Sequence, residues 1–119
     1  TFIEDLTKAI FLLAQNRPQH VTLKNENKSL AGLSSIAPWR AVNIGNSKPS
    51  ELLAFIDALE ISLGMKARKN FLDIQPGDVP STFADTKLLK DITGFIPSTS
   101  IEKGINEFVS WYKSYFKVK

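Results

Sequence analysis

Gln75-Pro76-Gly77-Asp78-Val79-Pro80 sets an amide and a carboxylate on either side of a Pro-Gly pair. Asp78 can accept hydrogen bonds from a ribose hydroxyl, and Gln75 can donate to a phosphate or ribose oxygen. The backbone N–H groups of such a loop add further donors. The same residue types also build an ordinary turn in which Asp bonds its own backbone. Chemistry alone favours the turn, because a motif match is a hypothesis until its context supports it.

Other chemistry-bearing residues make weaker sites. Asn43-Ile44-Gly45-Asn46 has one glycine where a dinucleotide fingerprint needs three, so its expected role is structural. His20 is the only histidine, and there is no cysteine, so a metal site would need carboxylates that the sequence does not cluster. Glu4/Asp5, Asp57/Glu60 and Asp73/Asp78 read as residues of helix ends, polar faces and turns rather than an acid/base pair. Trp39, Trp111, Tyr112 and Phe116 could stack on a ligand, yet aromatics at helical spacing more often form core. Arg40 points either to solvent or to substrate. No G-x-S-x-G elbow and no phosphate-cradling G-x-x-x-x-G-K occurs.

The elements that would hold these residues are those of one small α/β protein. The 119 residues are 43% apolar and 23% charged, which suffices for a core and argues against disorder. The formal charge of +3 is spread among interspersed acids and bases. No Lys/Arg run with interleaved aromatics offers a nucleic-acid surface, so no nucleic-acid partner is expected. Without cysteine there is neither a disulfide framework nor a thiolate metal site. No apolar run has transmembrane length and no signal pattern opens the chain, so a cytoplasmic protein without membrane contact is expected.

Ile3, Leu6, Ile10 and Leu13 predict a helix with Glu4 and Asp5 in its first turn, ending near Asn16. Residues 19 to 38 lose periodicity and read as a long connection. Trp39 to Ile44 reads as a short buried strand. A helix is expected after it, with Pro49 in its first turn, an apolar face of Leu52, Phe55, Ile56, Leu59 and Leu63, and a stop at Gly64. Lys66 to Ile74 is taken as a strand and Val79 to Ala84 as a short extended piece, with Asp85 capping a brief helix through Asp91. Thr99-Ser100-Ile101-Glu102 is read as a capping box. It opens a last helix whose face carries Ile101, Ile105, Phe108, Tyr112 and Tyr115.

These motifs, in this order, resemble the C-terminal part of the UDP-glucuronate 4-epimerases of the extended short-chain dehydrogenase/reductase family. The resemblance covers nearly the whole chain: the opening helix, N-I-G-N, the helix ending at Gly64, Q-P-G-D-V-P, Ala84-Asp85, Gly94-Phe95-Ile96-Pro97-Ser98-Thr99-Ser100-Ile101-Glu102, and the helix with Trp111-Tyr112. Ile36-Ala37-Pro38-Trp39-Arg40 resembles the lead into this strand in the uronate branch. Thr1 to Leu6 resembles the segment just beyond an Arg that helps hold the nucleotide diphosphate.

The resemblance implies an α/β chain made of the last helix and strand of a Rossmann sheet, residues 1–46, and a small substrate-binding domain, residues 47–119. It implies that Gln75 and Asp78 grip the nucleotide, although relatives usually carry Arg at the position of Gln75. The intact parent would interconvert UDP-glucuronate and UDP-galacturonate through a 4-keto sugar in polysaccharide biosynthesis. NAD would be bound by an absent N-terminal domain, and the enzyme would be a homodimer. The catalytic Tyr and Lys of the family lie upstream, so the Y-x-x-x-K match of Tyr115 and Lys119 is a coincidence. No catalytic or cofactor-binding residue is assigned here, and the 119 residues alone are expected to be inactive. A second reading is a non-catalytic α/β domain that binds a nucleotide or a protein. Under the first reading, residues 2–13 and 39–44 should expose apolar surface.

Overall fold

The computed structural model describes residues 1–18 and 37–118. His20, the expected long connection as far as residue 36, and Lys119 lie outside them. The described residues contain four helices: α1 (Ile3–Gln15), α2 (Leu52–Leu63), α3 (Lys87–Thr93) and α4 (Ile101–Phe116). They contain no strand, so the sheet part of the expected α/β chain is not observed.

The missing strands have a physical reason. A strand exists through ladder bonds to a neighbour, and an extended segment without one satisfies its backbone groups in other ways. Residues 39–44 keep the alternation of a strand: Trp39, Ala41 and Asn43 are exposed, while Arg40, Val42 and Ile44 are half-buried. No ladder accompanies that alternation beyond an isolated bridge residue at Arg40. Residues 66–74 are irregular and exposed throughout.

The chain forms two compact units. The first takes in Thr1–Ser47 and Ala84–Ser98, the second Lys48–Phe83 and Thr99–Lys119. In the first, α1 packs against α3, and each supplies a fully buried residue, Ala9 and Leu89. Glu4 and Asp5 occupy the first turn of α1, as expected, and Asn16 ends it. Asp5 does more than complement the helix dipole, because its Oδ2 accepts the Ser98 N–H at 3.1 Å. The Lys8 ammonium lies 4.6 Å from the centre of the Phe95 ring, a second tie between α1 and the segment after α3. Asp85 accepts the Lys87 N–H at 2.9 Å and so serves the start of α3, which runs two residues past the expected end.

Arg40 donates to the backbone carbonyl of Asn16. That places a cation at the C-terminal end of α1, where the helix has no basic residue of its own in the last turn. Gly45 is buried, and a Cβ built on it would lie 2.6 Å from the Ala84 Cβ. The glycine of N-I-G-N is therefore a close-packing residue. Ser47 follows at φ 55°, a left-handed conformation that serine seldom takes. Its hydroxyl sits 2.7 Å from the Ala84 carbonyl oxygen and 2.6 Å from the Thr86 hydroxyl, which holds the turn in place.

In the second unit α2 packs against α4. Helix α2 begins at Leu52 with Glu51 as its cap, so Pro49 lies before the helix rather than in its first turn. Helix α4 begins one residue later than the capping box implied. Ser100 is the extended cap residue, and its Oγ accepts the Lys103 N–H at 3.3 Å. The Glu102 carboxyl is held below its ordinary value by its own backbone N–H first and then by the Ser100 hydroxyl. The buried stripe of α4 is Ile105 and Val109. Phe108, Tyr112 and Tyr115, expected on that face, are exposed and join Trp111 and Phe116 in an aromatic surface cluster. Within it Trp111 stacks on Tyr115 at 5.3 Å.

The apolar exposure expected near the start of the chain is present: Ile3, Ile10, Phe11 and Trp39 are all more than half exposed. Because Gly45 has no room for a side chain, Gly45→Ala is expected to destabilise the first unit by about 1–3 kcal/mol, the usual scale of overpacking. A denaturant titration checks this, and an unchanged midpoint would mean that Ala84 moves aside freely.

Candidate functional site

Residues 64–83 connect α2 to the segment before α3, and every one of them is exposed. Near their middle they form a turn at Gln75-Pro76-Gly77-Asp78. The Asp78 N–H donates to the Gln75 carbonyl at 3.1 Å, and Gly77 has φ 96°. Proline at the second position and a positive φ at the third define a type II turn, which only glycine enters without strain. A Cβ on Gly77 would meet nothing within 4 Å, so the glycine answers backbone conformation and not crowding.

The turn is closed by backbone atoms alone. The Gln75 side chain donates through Nε2 to the Asp73 carbonyl at 3.1 Å, which tethers the amide through its N–H and not through its oxygen. The Asp78 side chain is exposed at the other end of the turn. Around the turn Phe71, Leu72, Ile74 and Val79 are at least 64% exposed, so a polar centre is flanked by apolar side chains in contact with water. Such a loop can bind. It holds no nucleophile and base within hydrogen-bond reach of each other, so it offers recognition rather than bond-breaking chemistry.

The root of this loop carries a feature that residue spacing did not reveal. Glu60, read from sequence as a residue of a polar face, is only 4% exposed. Its Oε2 is 2.5 Å from Lys66 Nζ, and its Oε1 is 2.8 Å from Lys69 Nζ and accepts the Ala67 N–H at 3.0 Å. Lys69 also lies 3.7 Å from Asp57 Oδ1. The Lys66 hydrogen bond, then Lys69 and the Ala67 N–H, hold the Glu60 carboxyl down from 4.5 to about 2, against the opposing effect of burial. Glu60 in turn holds the Lys69 ammonium above its ordinary 10.5. The signal available in sequence was a carboxylate in the last turn of a helix, where the dipole disfavours it, followed closely by two lysines.

The remaining candidates separate from this loop. Asn43-Ile44-Gly45-Asn46 and Arg40 belong to the first unit, where they pack and cap. Tyr115 stacks on Trp111, and Lys119, which completes the coincidental Y-x-x-x-K match, is outside the described residues. Among the described residues no group of three or more His, Asp or Glu side chains could hold a metal ion. None of the described helices is long and apolar enough to cross a membrane.

Comparison with known proteins sets this sequence in a family. No family model matches the chain. Individual proteins do, three of them as follows. "Protein CapI" of Staphylococcus aureus is 42% identical over 98% of the chain, and "Probable UDP-glucuronate 4-epimerase" of Rhizobium meliloti is 40% identical over 98%. "UDP-glucuronate 4-epimerase 1" of Arabidopsis thaliana is 40% identical over 67%. The chain is homologous to UDP-glucuronate 4-epimerases and related proteins. It spans about a third of the length of the two bacterial relatives, 35% and 34%, and 19% of the plant one. Family membership therefore covers the whole of this chain, while the chain covers a minor part of the relatives.

The Glu60 clasp has a pH signature. A carboxyl whose folded pKa lies below its unfolded value stabilises the fold fully above the unfolded value, 4.5, and loses that contribution as pH falls toward about 2. Denaturant midpoints measured from pH 6 to pH 2 should therefore fall through this window. In Glu60→Gln the fall should be shallower, starting from a lower midpoint at pH 6. Parallel curves for the two proteins would show that Glu60 is not the group responsible.

Proposed function

We propose that this chain is the C-terminal part of a nucleotide-sugar epimerase that interconverts UDP-glucuronate and UDP-galacturonate. The observation that carries the proposal is homology along virtually the whole chain to a protein named as a probable UDP-glucuronate 4-epimerase. Residues 1–46 are assigned to the cofactor domain and residues 47–119 to the substrate domain. The exposed apolar surface of α1 and of residues 39–44 is then the face that a sheet would cover in the intact enzyme.

Within this reading the turn at residues 75–78 holds the nucleotide. The backbone closes the turn, so the Asp78 carboxylate is available to accept from the ribose hydroxyls. The Gln75 amide meets a ribose or phosphate oxygen through an N–H after letting go of the Asp73 carbonyl. Gln75 carries no charge, so the diphosphate is held at this turn by hydrogen bonds and not by an ion pair. Gripping the nucleotide alone leaves the sugar free to present either face, which a 4-epimerase needs. The apolar side chains beside the turn give the uracil ring a surface to lie on.

The segment Asn43 to Asn46 does not cradle the NAD that this family reading implies. Gly45 is packed against Ala84 with no space for even a methyl group, so its segment cannot approach a pyrophosphate in the way a glycine-rich turn does. The cofactor is assigned to the part of the parent that precedes this chain, and no catalytic residue is assigned within residues 1–119. The intact enzyme is read as a cytoplasmic homodimer.

Calorimetric titration with UDP tests the loop. The chain should bind UDP, and Asp78→Ala should weaken binding about ten- to a hundredfold, the value of a hydrogen bond to a charged acceptor. An unchanged affinity in the variant would return Gln75 to Asp78 to the role of a turn.

A further inference from the structure

We propose that Glu60 is a positioning residue for the nucleotide loop: by grasping Lys66, Ala67 and Lys69 it fixes how residues 70–83 leave α2, and so keeps Gln75 and Asp78 where a nucleoside diphosphate can be met. The inference rests on the assignment of that loop to the nucleotide.

The geometry is difficult to explain as helix stabilisation. A carboxylate in the last turn of a helix faces the negative end of the dipole, and burying it adds a desolvation penalty. A solvated glutamine or an apolar residue would serve α2 better. The bonds of the carboxylate run to the chain that follows the helix: two to lysine ammonium groups and one to a backbone N–H. Glu60 therefore does for the loop what it does not do for the helix.

Lys69 is the farthest point of this grip along the chain. Its side chain is 30% exposed, against 85% for Lys66, so it is the lysine drawn into the fold. Beyond it every residue to 83 is exposed. With Lys69 fixed, Gln75 can range at most about 20 Å from the anchor, the extended reach of the intervening chain. Without the anchor the free segment begins at Gly64 and nearly doubles in length. A looser loop spends a smaller fraction of its time in the binding arrangement, and apparent affinity falls by that fraction.

The test combines amide hydrogen exchange with UDP titration on the chain, Glu60→Gln, Lys69→Met and Lys69→Arg. Lys69→Met leaves Glu60 bonded to Lys66 and Ala67, so it releases the loop without stranding the buried carboxylate. Glu60→Gln should speed exchange at the Ala67 and Asp78 amides and Lys69→Met at Asp78, while α4 stays protected, and both should weaken UDP binding, by about three- to tenfold for Glu60→Gln and less for Lys69→Met. Lys69→Arg should recover most of the affinity. Unchanged loop exchange in Lys69→Met, or a loosened loop with undiminished UDP binding, overturns the proposal. So does exchange that rises equally in α4, because Glu60 would then merely hold the unit together. A wild-type chain that binds no UDP, with the loop still loosened in the variants, instead locates the failure in the nucleotide assignment.

Discussion

Burying the Glu60 carboxylate at the end of α2 obliges the next residues of the chain to bring it counter-charges. An isolated charge in that position would be far too costly, so Lys66, the Ala67 N–H and Lys69 must converge on it. That requirement turns what would be a free connection into one with a defined root. The carboxylate couples the end of α2, which packs on α4, to the start of the candidate nucleotide loop. The second unit is thus organised around a polar contact more than around apolar volume: its buried apolar residues are Ile105 and Val109.

The first unit solves a different problem with smaller means. Two short helices cannot bury much, and its fully buried side chains are small or few: Ala9, Leu89 and Pro97. Close approach and local hydrogen bonds do the rest. Gly45 admits the Ala84 methyl group, the Ser47 hydroxyl reaches the Ala84 carbonyl and Thr86, and Asp5 takes the Ser98 N–H. Each is worth roughly a kcal/mol by ordinary measures. Together they hold an extended segment, residues 39–47, that has no sheet beside it among the described residues.

Helices were legible in the sequence because their signals are local. The spacing of Ile3, Leu6, Ile10 and Leu13, the stop at Gly64 and the Ser100 cap depend on residues within a turn or two of one another. Strands were not legible in the same way, since residues 39–44 carry the alternation of a strand but the ladder belongs to a neighbour. The faces of α4 show the same limit. Ile105 of the expected stripe is buried, but Phe108, Tyr112 and Tyr115 are exposed and Val109 is buried in their place, and periodicity cannot tell which side a partner will choose. Glu60 was the least legible, because a glutamate in a helix looks solvated until the chain beyond it is seen to fold back.

The turn at residues 75–78 shows why the bland and functional readings of one motif need not compete. Had the Asp78 carboxylate closed the turn, it would have been spent on structure. Here the Asp78 N–H and the Gln75 carbonyl close it, with Pro76 and Gly77 supplying the two dihedral angles that a type II turn demands. The conformation is thus encoded by the two residues that carry no polar side chain. The two that do are exposed at the ends of the turn, Gln75 with its amide N–H on the Asp73 carbonyl. A turn built in this way is a mount for side chains, and its value for binding rises with the rigidity of what it is mounted on. For residues 75–78 that base is the stretch ending at Lys69, and what makes the stretch rigid is the carboxylate of Glu60.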